Sequence, residues 1–273
     1  VSQSLKDDTY KLFNIKKEIH VIPNFIELDK IRNESQISCH RSVMAKKEER
    51  IVTHISNFRK VKRIPDIIKI FYKIQEKIPA KLMMVGDGPE KVKAEQLCKE
   101  LGIEEKVIFF GNSSEIDQIL SYSDLFLLPS ETESFGLAAL EAMAWSVPVI
   151  SSNSGGLPEV NFDGISGYLS NVGDVDSMAE NALKILTDDE TLAKFRESAL
   201  EIAKENAERL LPNNPLNIES NHHLPNTNNL YFQYSHWFNQ IPSQKFSAII
   251  SNPPYIDAQD PHLKALRHEP MSA

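Results

Sequence analysis

From Arg50 to Leu186 the sequence alternates short apolar runs with stretches of helical spacing, and no other feature restricts the fold as tightly. Arg50–Ser56, Lys81–Val85, Val107–Phe110, Asp124–Pro129 and Val147–Ser151 read as strands, with Gly167–Leu169 a further short one. Between them Ile64–Ile78, Glu90–Leu101, Ser114–Ser121, Gly136–Trp145 and Asp174–Leu186 read as helices. Upstream, residues 1–13 read as a polar helix, Ile19–Pro23 as a short strand leading into the loop Asn24–Glu27, and residues 29–49 as a charged, exposed connection. Apolar strands joined by helical crossovers form a parallel sheet covered on both faces. The expected fold is therefore α/β, a doubly wound parallel sheet, whose ligands bind beyond the carboxyl ends of the strands.

That rule selects the loops Asn57–Arg63, Gly86–Pro89, Gly111–Ser114, Ser130–Gly136 and Ser152–Pro158. Glycine in four of them lets backbone amides come close to a ligand. The first is basic, with Arg59, Lys60, Lys62 and Arg63 around Val61. Cations are unfavourable at a helix N-terminus, so four of them just before Ile64 point to an anion there, a phosphate or diphosphate, against the plainer reading of a solvated helix start. The stretch Glu133-Ser-Phe-Gly-Leu-Ala-Ala-Leu-Glu141 places one carboxylate before a turn at Gly136 and a second inside an apolar helix. A carboxylate in such a helix needs a partner. Glu141 either pairs with an arginine or caps a backbone group, or it receives ligand hydroxyls while the helix start ahead of it receives an anion.

The chain has 273 residues and a net charge of -8, which argues against a general nucleic-acid or anionic-membrane surface. Residue 1 is Val, and no signal peptide or apolar span of membrane length is evident, so a soluble, cytoplasmic piece of something longer is expected. Cys39 and Cys98 have no metal or redox spacing and fit reduced thiols. All ten glycines lie between Gly86 and Gly173, whereas eight of fifteen prolines and five of eight histidines fall from Pro212 onward. A domain boundary is therefore expected between about 198 and 212.

Five motifs occur in order: Ser56-Asn-Phe-Arg-Lys-Val-Lys-Arg63, Val85-Gly-Asp-Gly-Pro-Glu90, Pro129-Ser-Glu-Thr-Glu-Ser-Phe-Gly136, Glu141-Ala-Met-Ala and Gly155-Gly-Leu-Pro-Glu-Val160. Together they resemble the Rossmann-like C-terminal, nucleotide-sugar domain of retaining GT-B glycosyltransferases. Ser-Asn-Phe-Arg, with Ile22-Pro-Asn-Phe-Ile26 upstream, resembles most the bacillithiol-pathway branch, which transfers N-acetylglucosamine from UDP-GlcNAc to L-malate. The resemblance implies Glu133, Arg59 and Lys62 as candidate catalytic residues. Arg59 and Lys62 would hold the diphosphate and stabilise departing UDP, and Glu133 would orient the sugar. Ser134, Phe135, Gly136 and Leu137 would bind the donor, the amides of the last three as part of the anion site. Glu141 would bind the ribose hydroxyls, and the backbone of Val107–Phe110 would face the uracil. It also implies transfer with retention and no obligatory metal or cofactor. Two positions depart from the family pattern. Asn57 stands where many relatives have Arg, and Trp145-Ser146 replaces Cys-Gly after Glu141-Ala-Met-Ala. Serine in place of a helix-terminating glycine forfeits up to ~1 kcal/mol of backbone freedom. The family's acceptor pocket belongs to its first domain, of which residues 1–13 would be the last helix, so donor binding with little or no transfer is expected.

The text after Ser198 differs. An amphipathic run Ala199–Leu210 precedes strand-like Tyr231–Tyr234 and Phe246–Ile250, the latter leading into Ser251-Asn-Pro-Pro-Tyr-Ile256. With Asp260-Pro-His-Leu263 and Glu269-Pro270, this resembles the glutamine methyltransferases of peptide release factors. The resemblance implies that Asn252 and the Pro253 carbonyl receive the target NH2, followed by Pro254, with Tyr255 packing nearby. No glycine follows Gly173, so the loop for S-adenosylmethionine is missing and methyl transfer is expected to fail. The whole chain is thus expected to comprise 1–49, a remnant and connection; 50–200, the nucleotide-sugar domain; and 201–273, a partial, poorly folded α/β methyltransferase fragment. Such a chain would be a fusion of two partial genes or an assembly artefact. Expected partners are the nucleotide-sugar donor, L-malate for the full-length parent, and a release factor for the tail. Asp174-Val-Asp176 opens a helix and reads as a cap, not a metal motif. His222, His223 and His236 match no common metal spacing.

Overall fold

The structure is a computed structural model and describes residues 1–26 and 41–210, which lie within one compact unit, Val1–Asn214. Six parallel strands form its centre: β1 Arg50–Ile55, β2 Ala80–Val85, β3 Val107–Gly111, β4 Leu125–Leu128, β5 Val149–Ser152 and β6 Gly167–Ser170. Their order is β3-β2-β1-β4-β5-β6, so the direction of winding reverses between β1 and β4, which pair directly through Val52–Leu125 and Thr53–Phe126. Such a reversal opens a crevice at the carboxyl ends of the two strands.

The residues fix this arrangement through their period of two. Val52, Leu82, Met84, Leu125, Leu127 and Ile150 face one layer of helices. That layer holds α3 Ile64–Gln75, α4 Lys91–Glu100 and α7 Val175–Leu186. Phe126, Leu128 and Val149, the alternate positions, face α6 Leu137–Ala144 and Ala199 and Ala203 of α8 Asp189–Leu210. In α3, Ile64, Ile67, Ile68, Phe71 and Ile74 recur every three or four residues and are all fully buried. Each such side chain contributes roughly 1.5–3 kcal/mol by leaving water.

The remaining described helices are α1 Gln3–Leu12, α2 Arg41–Met44 and α5 Ile116–Ser121. The segment 19–26 runs without strand pairing, so the short strand expected at Ile19–Pro23 does not form. Its apolar residues Ile22 and Phe25 are exposed while Ile26 anchors in the core, and the Ile19 amide donates to Tyr10 Oη at 2.7 Å instead of to a strand. The Gly167–Leu169 run, in contrast, is a full sheet member paired along β5. Helix α8 passes through residues 200 and 201 without a break, and Ala199, Ala203 and Ala207 are buried at a four-residue spacing. The tail motif Asn252, Pro253, Pro254 and Tyr255 lies outside the described residues, as does Cys39.

Candidate functional site

A polar cleft of about 380 Å³ opens where β1 and β4 end. Ile55, Ser56 and Asn57 line it from β1, Leu128 from β4, and Lys62, Glu133–Ala138 and Glu141 from the loops and helix beyond. Asn24 also lines it. The position is the switch point that the strand order defines.

The cleft's centre of charge is an ion pair. Lys62 Nζ donates to Glu133 Oε1 at 2.6 Å, and Ser130 Oγ donates to the same oxygen at 2.7 Å. The two side chains are 20% and 14% exposed, so both are held largely out of water. The other cations of the basic loop are used differently. Arg63 pairs with Asp66 at 2.5 Å, in the first turn of α3. Arg59 and Lys60 are exposed, and Arg59, two residues after Asn57, does not line the cleft. Among the four cations, Lys62 is the one that reaches the cleft.

Glu141 projects from α6 into the cleft and is half-buried, less enclosed than its apolar helix implied. Burial, and then the negative charge of Asp117, push its carboxyl above the usual range. Asp117 itself accepts from Trp145 Nε1 at 3.1 Å. No arginine pairs with Glu141 among the described residues, so the structural alternative of an ion-pair partner does not apply. Phe135 and Gly136 are buried, Ser134 and Leu137 exposed, and all four line the cleft. Gly136, at φ +103, starts α6.

The glycine motifs serve the cleft at one remove. A Cβ on Gly86 would stand 1.8 Å from the Ser56 carbonyl oxygen, and one on Gly88 would stand 2.8 Å from the Phe58 nitrogen. Phe58 N donates to Asp87 O, and Glu90 N to Phe58 O. The Gly-Asp-Gly loop is therefore strapped to the Ser56–Phe58 backbone, and its glycines make room for that backbone. Gly155 and Gly156 do the same on the other wall. Their missing Cβ atoms would fall 2.2 Å from Glu133 O and 2.7 Å from Phe135 Cα, and Gly156 N donates to Glu133 O at 2.8 Å. Ser154 Oγ donates to Glu131 O, and Glu131 N to Val61 O, tying the acidic, basic and glycine loops into one unit. Glu159 then holds the N-terminus of α1, accepting from the Gln3 and Ser4 amides at 2.8 Å each.

One buried group behind the cleft carried no signal in the sequence. His54, inside β1 and fully buried, binds Leu127 O through Nδ1 at 2.8 Å and Ser56 Oγ through Nε2 at 2.7 Å. A carbonyl only accepts, so the proton sits on Nδ1 and Nε2 accepts from the serine. Burial pushes the imidazole down to about 4, with the Lys62 charge adding to the shift. It is a neutral prop beneath Ser56. A histidine in an apolar strand looks like any core residue, so only the fold could reveal it. No group of three or more metal-ligating side chains occurs among the described residues. No described helix is long and apolar enough to cross a membrane. Cys98 is buried and free, its thiol pushed up to about 11 by burial.

A six-stranded parallel sheet wound both ways, with a polar cleft at its reversal, is the architecture of GT-B glycosyltransferase neighbours. The family model for glycosyl transferases group 1 matches residues 36–202, and the chain belongs to that family. The N-acetyl-alpha-D-glucosaminyl L-malate synthase of Bacillus anthracis is 43% identical over 201 residues, covering 74% of this chain and 53% of that protein. An uncharacterized glycosyltransferase of Methanocaldococcus jannaschii is 33% identical over 195 residues, 69% of this chain and 50% of that protein. The chain thus spans about half the length of the curated relatives it matches. Among solved structures, HepE of Anabaena in complex with UDP and glucose superposes with a TM-score of 0.63 at 25% identity, over 68% of this chain and 52% of that one.

Proposed function

We propose that the described domain binds the donor for a retaining hexosyl transfer, with UDP-GlcNAc as donor and, in the complete enzyme, L-malate as acceptor. The observation that carries this reading is the Lys62–Glu133 pair, at the switch point of a fold whose 43% identical relative is a GlcNAc–malate synthase. In this reading Lys62 leaves Glu133 for the diphosphate, and the amides of Phe135, Gly136 and Leu137 complete the anion site beside Ser134. Glu133, released from the ammonium, receives sugar hydroxyls while Ser130 keeps one oxygen fixed. Glu141 receives the ribose hydroxyls. Lys62 then stabilises charge on departing UDP, an electrostatic contribution on the order of 3 kcal/mol for one well-placed donor. Arg59, being exposed, acts as a second cation at longer range.

A cytoplasmic setting fits the free, inert thiol of Cys98. The release-factor and S-adenosylmethionine readings of the tail rest on the Asn252–Tyr255 motif together with Asp260–Leu263 and Glu269-Pro270. Calorimetric titration of UDP and UDP-GlcNAc into the purified chain tests the donor reading. Saturable binding of both is expected. Absence of heat and of thermal shift with millimolar UDP would sink it.

A further inference from the structure

Asn24 reaches the cleft from outside the strand-end loops, on the unpaired segment 19–26. It is half-buried, and its side-chain amide has no hydrogen-bond partner among the described residues. Its backbone, by contrast, is fixed on two sides. Ile26 is buried with Phe126, Leu128 and Phe135 behind the cleft. Asn206 Nδ2 donates to the Asn24 carbonyl at 3.3 Å.

Asn206 lies in the last turns of α8, next to the buried Ala207. Its Oδ1 is buried with no partner among the described residues. A buried acceptor unpaired among the described residues adds no stability there, and the amide's described hydrogen bond is the one to Asn24. What it does achieve is to hold one carbonyl, that of the residue whose side chain faces the cleft.

We propose that the side-chain amide of Asn24 hydrogen-bonds the bound nucleotide sugar, and that Asn206 is its positioning residue. The inference rests on the donor reading above. A carboxamide offers one acceptor and two donors, which suits a sugar hydroxyl or a phosphate oxygen. It also makes the end of α8, beyond residue 200, a working part of the donor cleft.

The test is a calorimetric titration of UDP and of UDP-GlcNAc into the full chain and into Asn24→Ala, Asn206→Ala and the double variant. Each single change is expected to weaken UDP-GlcNAc binding by about three- to tenfold, the size of one neutral hydrogen bond. The double variant should lose no more than Asn24→Ala alone, because Asn206 acts through Asn24. The melting temperature of ligand-free Asn24→Ala should match wild type, since the deleted amide holds no group among the described residues. Losses confined to UDP-GlcNAc put the contact on the sugar; equal losses with UDP put it on the nucleotide diphosphate. Undiminished affinity in Asn24→Ala, or additive losses in the double variant, overturns the inference while leaving the donor reading standing. A wild-type chain that binds neither ligand overturns the donor reading, and this inference with it. Should Asn206→Ala fold poorly, Asn24→Ala alone decides the ligand contact.

Discussion

Lys62 Nζ lies 2.6 Å from Glu133 Oε1, so the cation assigned to phosphate and the carboxylate assigned to sugar hold each other. Neither is left as an uncompensated charge in a largely buried setting, which would be costly. Lys62→Ala removes the cation and leaves Glu133 facing an incoming diphosphate. Charge-assisted hydrogen bonds contribute about 1.5–3 kcal/mol, so UDP affinity should fall on the order of tenfold to a hundredfold. Glu133→Gln keeps the shape and frees the ammonium. It should leave UDP affinity at or above wild type while weakening the preference for UDP-GlcNAc over UDP. Calorimetry on both variants checks the pair, and a weaker UDP complex for Glu133→Gln would contradict the exchange of partners.

Glu141 is half-buried and carries a raised carboxyl, first through burial and then through Asp117. If its anion receives ribose hydroxyls, donor affinity declines as the pH falls through that raised value, earlier than an ordinary carboxylate would allow. Asp117→Asn removes the like charge and lowers the Glu141 value, so the decline should move to lower pH. Glu141→Gln should weaken UDP several-fold and flatten this part of the pH profile. Affinity measured between pH 7 and 4.5 in the three proteins reads out both effects.

The fold was legible because strand residues obey a period of two and helix residues a period near 3.6, and each strand end carries a recognisable turn. The site was legible in part, since Glu133, Lys62 and Glu141 line the cleft beyond the strand ends, where the topology directs ligands. The role of the glycines was not. Gly86, Gly88, Gly155 and Gly156 look like ligand-cradling residues, yet they make room for neighbouring backbone, a contact between segments far apart in sequence. His54 was silent for the same reason, and Asn24 was legible as part of a motif but not as a cleft residue. One lies in an apolar strand and the other in an unpaired segment, and only long-range packing puts His54 behind Ser56 and Asn24 at the cleft. Arg59 shows the reverse, a charge whose motif position implied contact but whose side chain is exposed.

His54 makes stability depend on pH in a calculable direction. In the unfolded chain its imidazole titrates near 6.5, whereas in the fold it stays neutral down to about 4. The contribution is present above about pH 6.5 and is lost as the pH falls toward 4, because the unfolded state takes up the proton first. The loss is on the order of 3 kcal/mol over that window. His54→Asn replaces the Nδ1 donor with an amide and cannot titrate. Chemical denaturation from pH 7.5 to 4.5 should therefore show a shallower slope for the variant than for wild type, although the variant is less stable at pH 7.5.

Gly155 and Gly102 share a positive φ, +58 and +66, but differ in surroundings. Alanine at 102 meets nothing within 4 Å and should cost only the backbone strain, roughly 1 kcal/mol. Alanine at 155 would put Cβ 2.2 Å from the Glu133 carbonyl, so the loop that carries Glu133 must move. The expected cost is several kcal/mol, together with weakened UDP binding, whereas Gly102→Ala should bind UDP as wild type does. Thermal melts and UDP titrations of the two variants separate strain from displacement.

Ser146 closes α6 in the left-handed region at φ +59, a conformation to which glycine is suited. Its amide donates to Met143 O at 2.9 Å and the next amide, of Val147, to Ala142 O at 3.0 Å, a complete Schellman closure. The hydrogen bonds are thus already made, and the serine Cβ adds only strain. Ser146→Gly should relieve it and raise the unfolding free energy by up to about 1 kcal/mol, offset in part by the entropy that glycine adds to the unfolded chain. Because α6 also carries Glu141 and starts at Gly136, UDP affinity should stay unchanged if the closure is already native in the serine protein. Urea denaturation gives the stability change; a lowered midpoint for Ser146→Gly would show that Ser146 does not sit strained at this helix end.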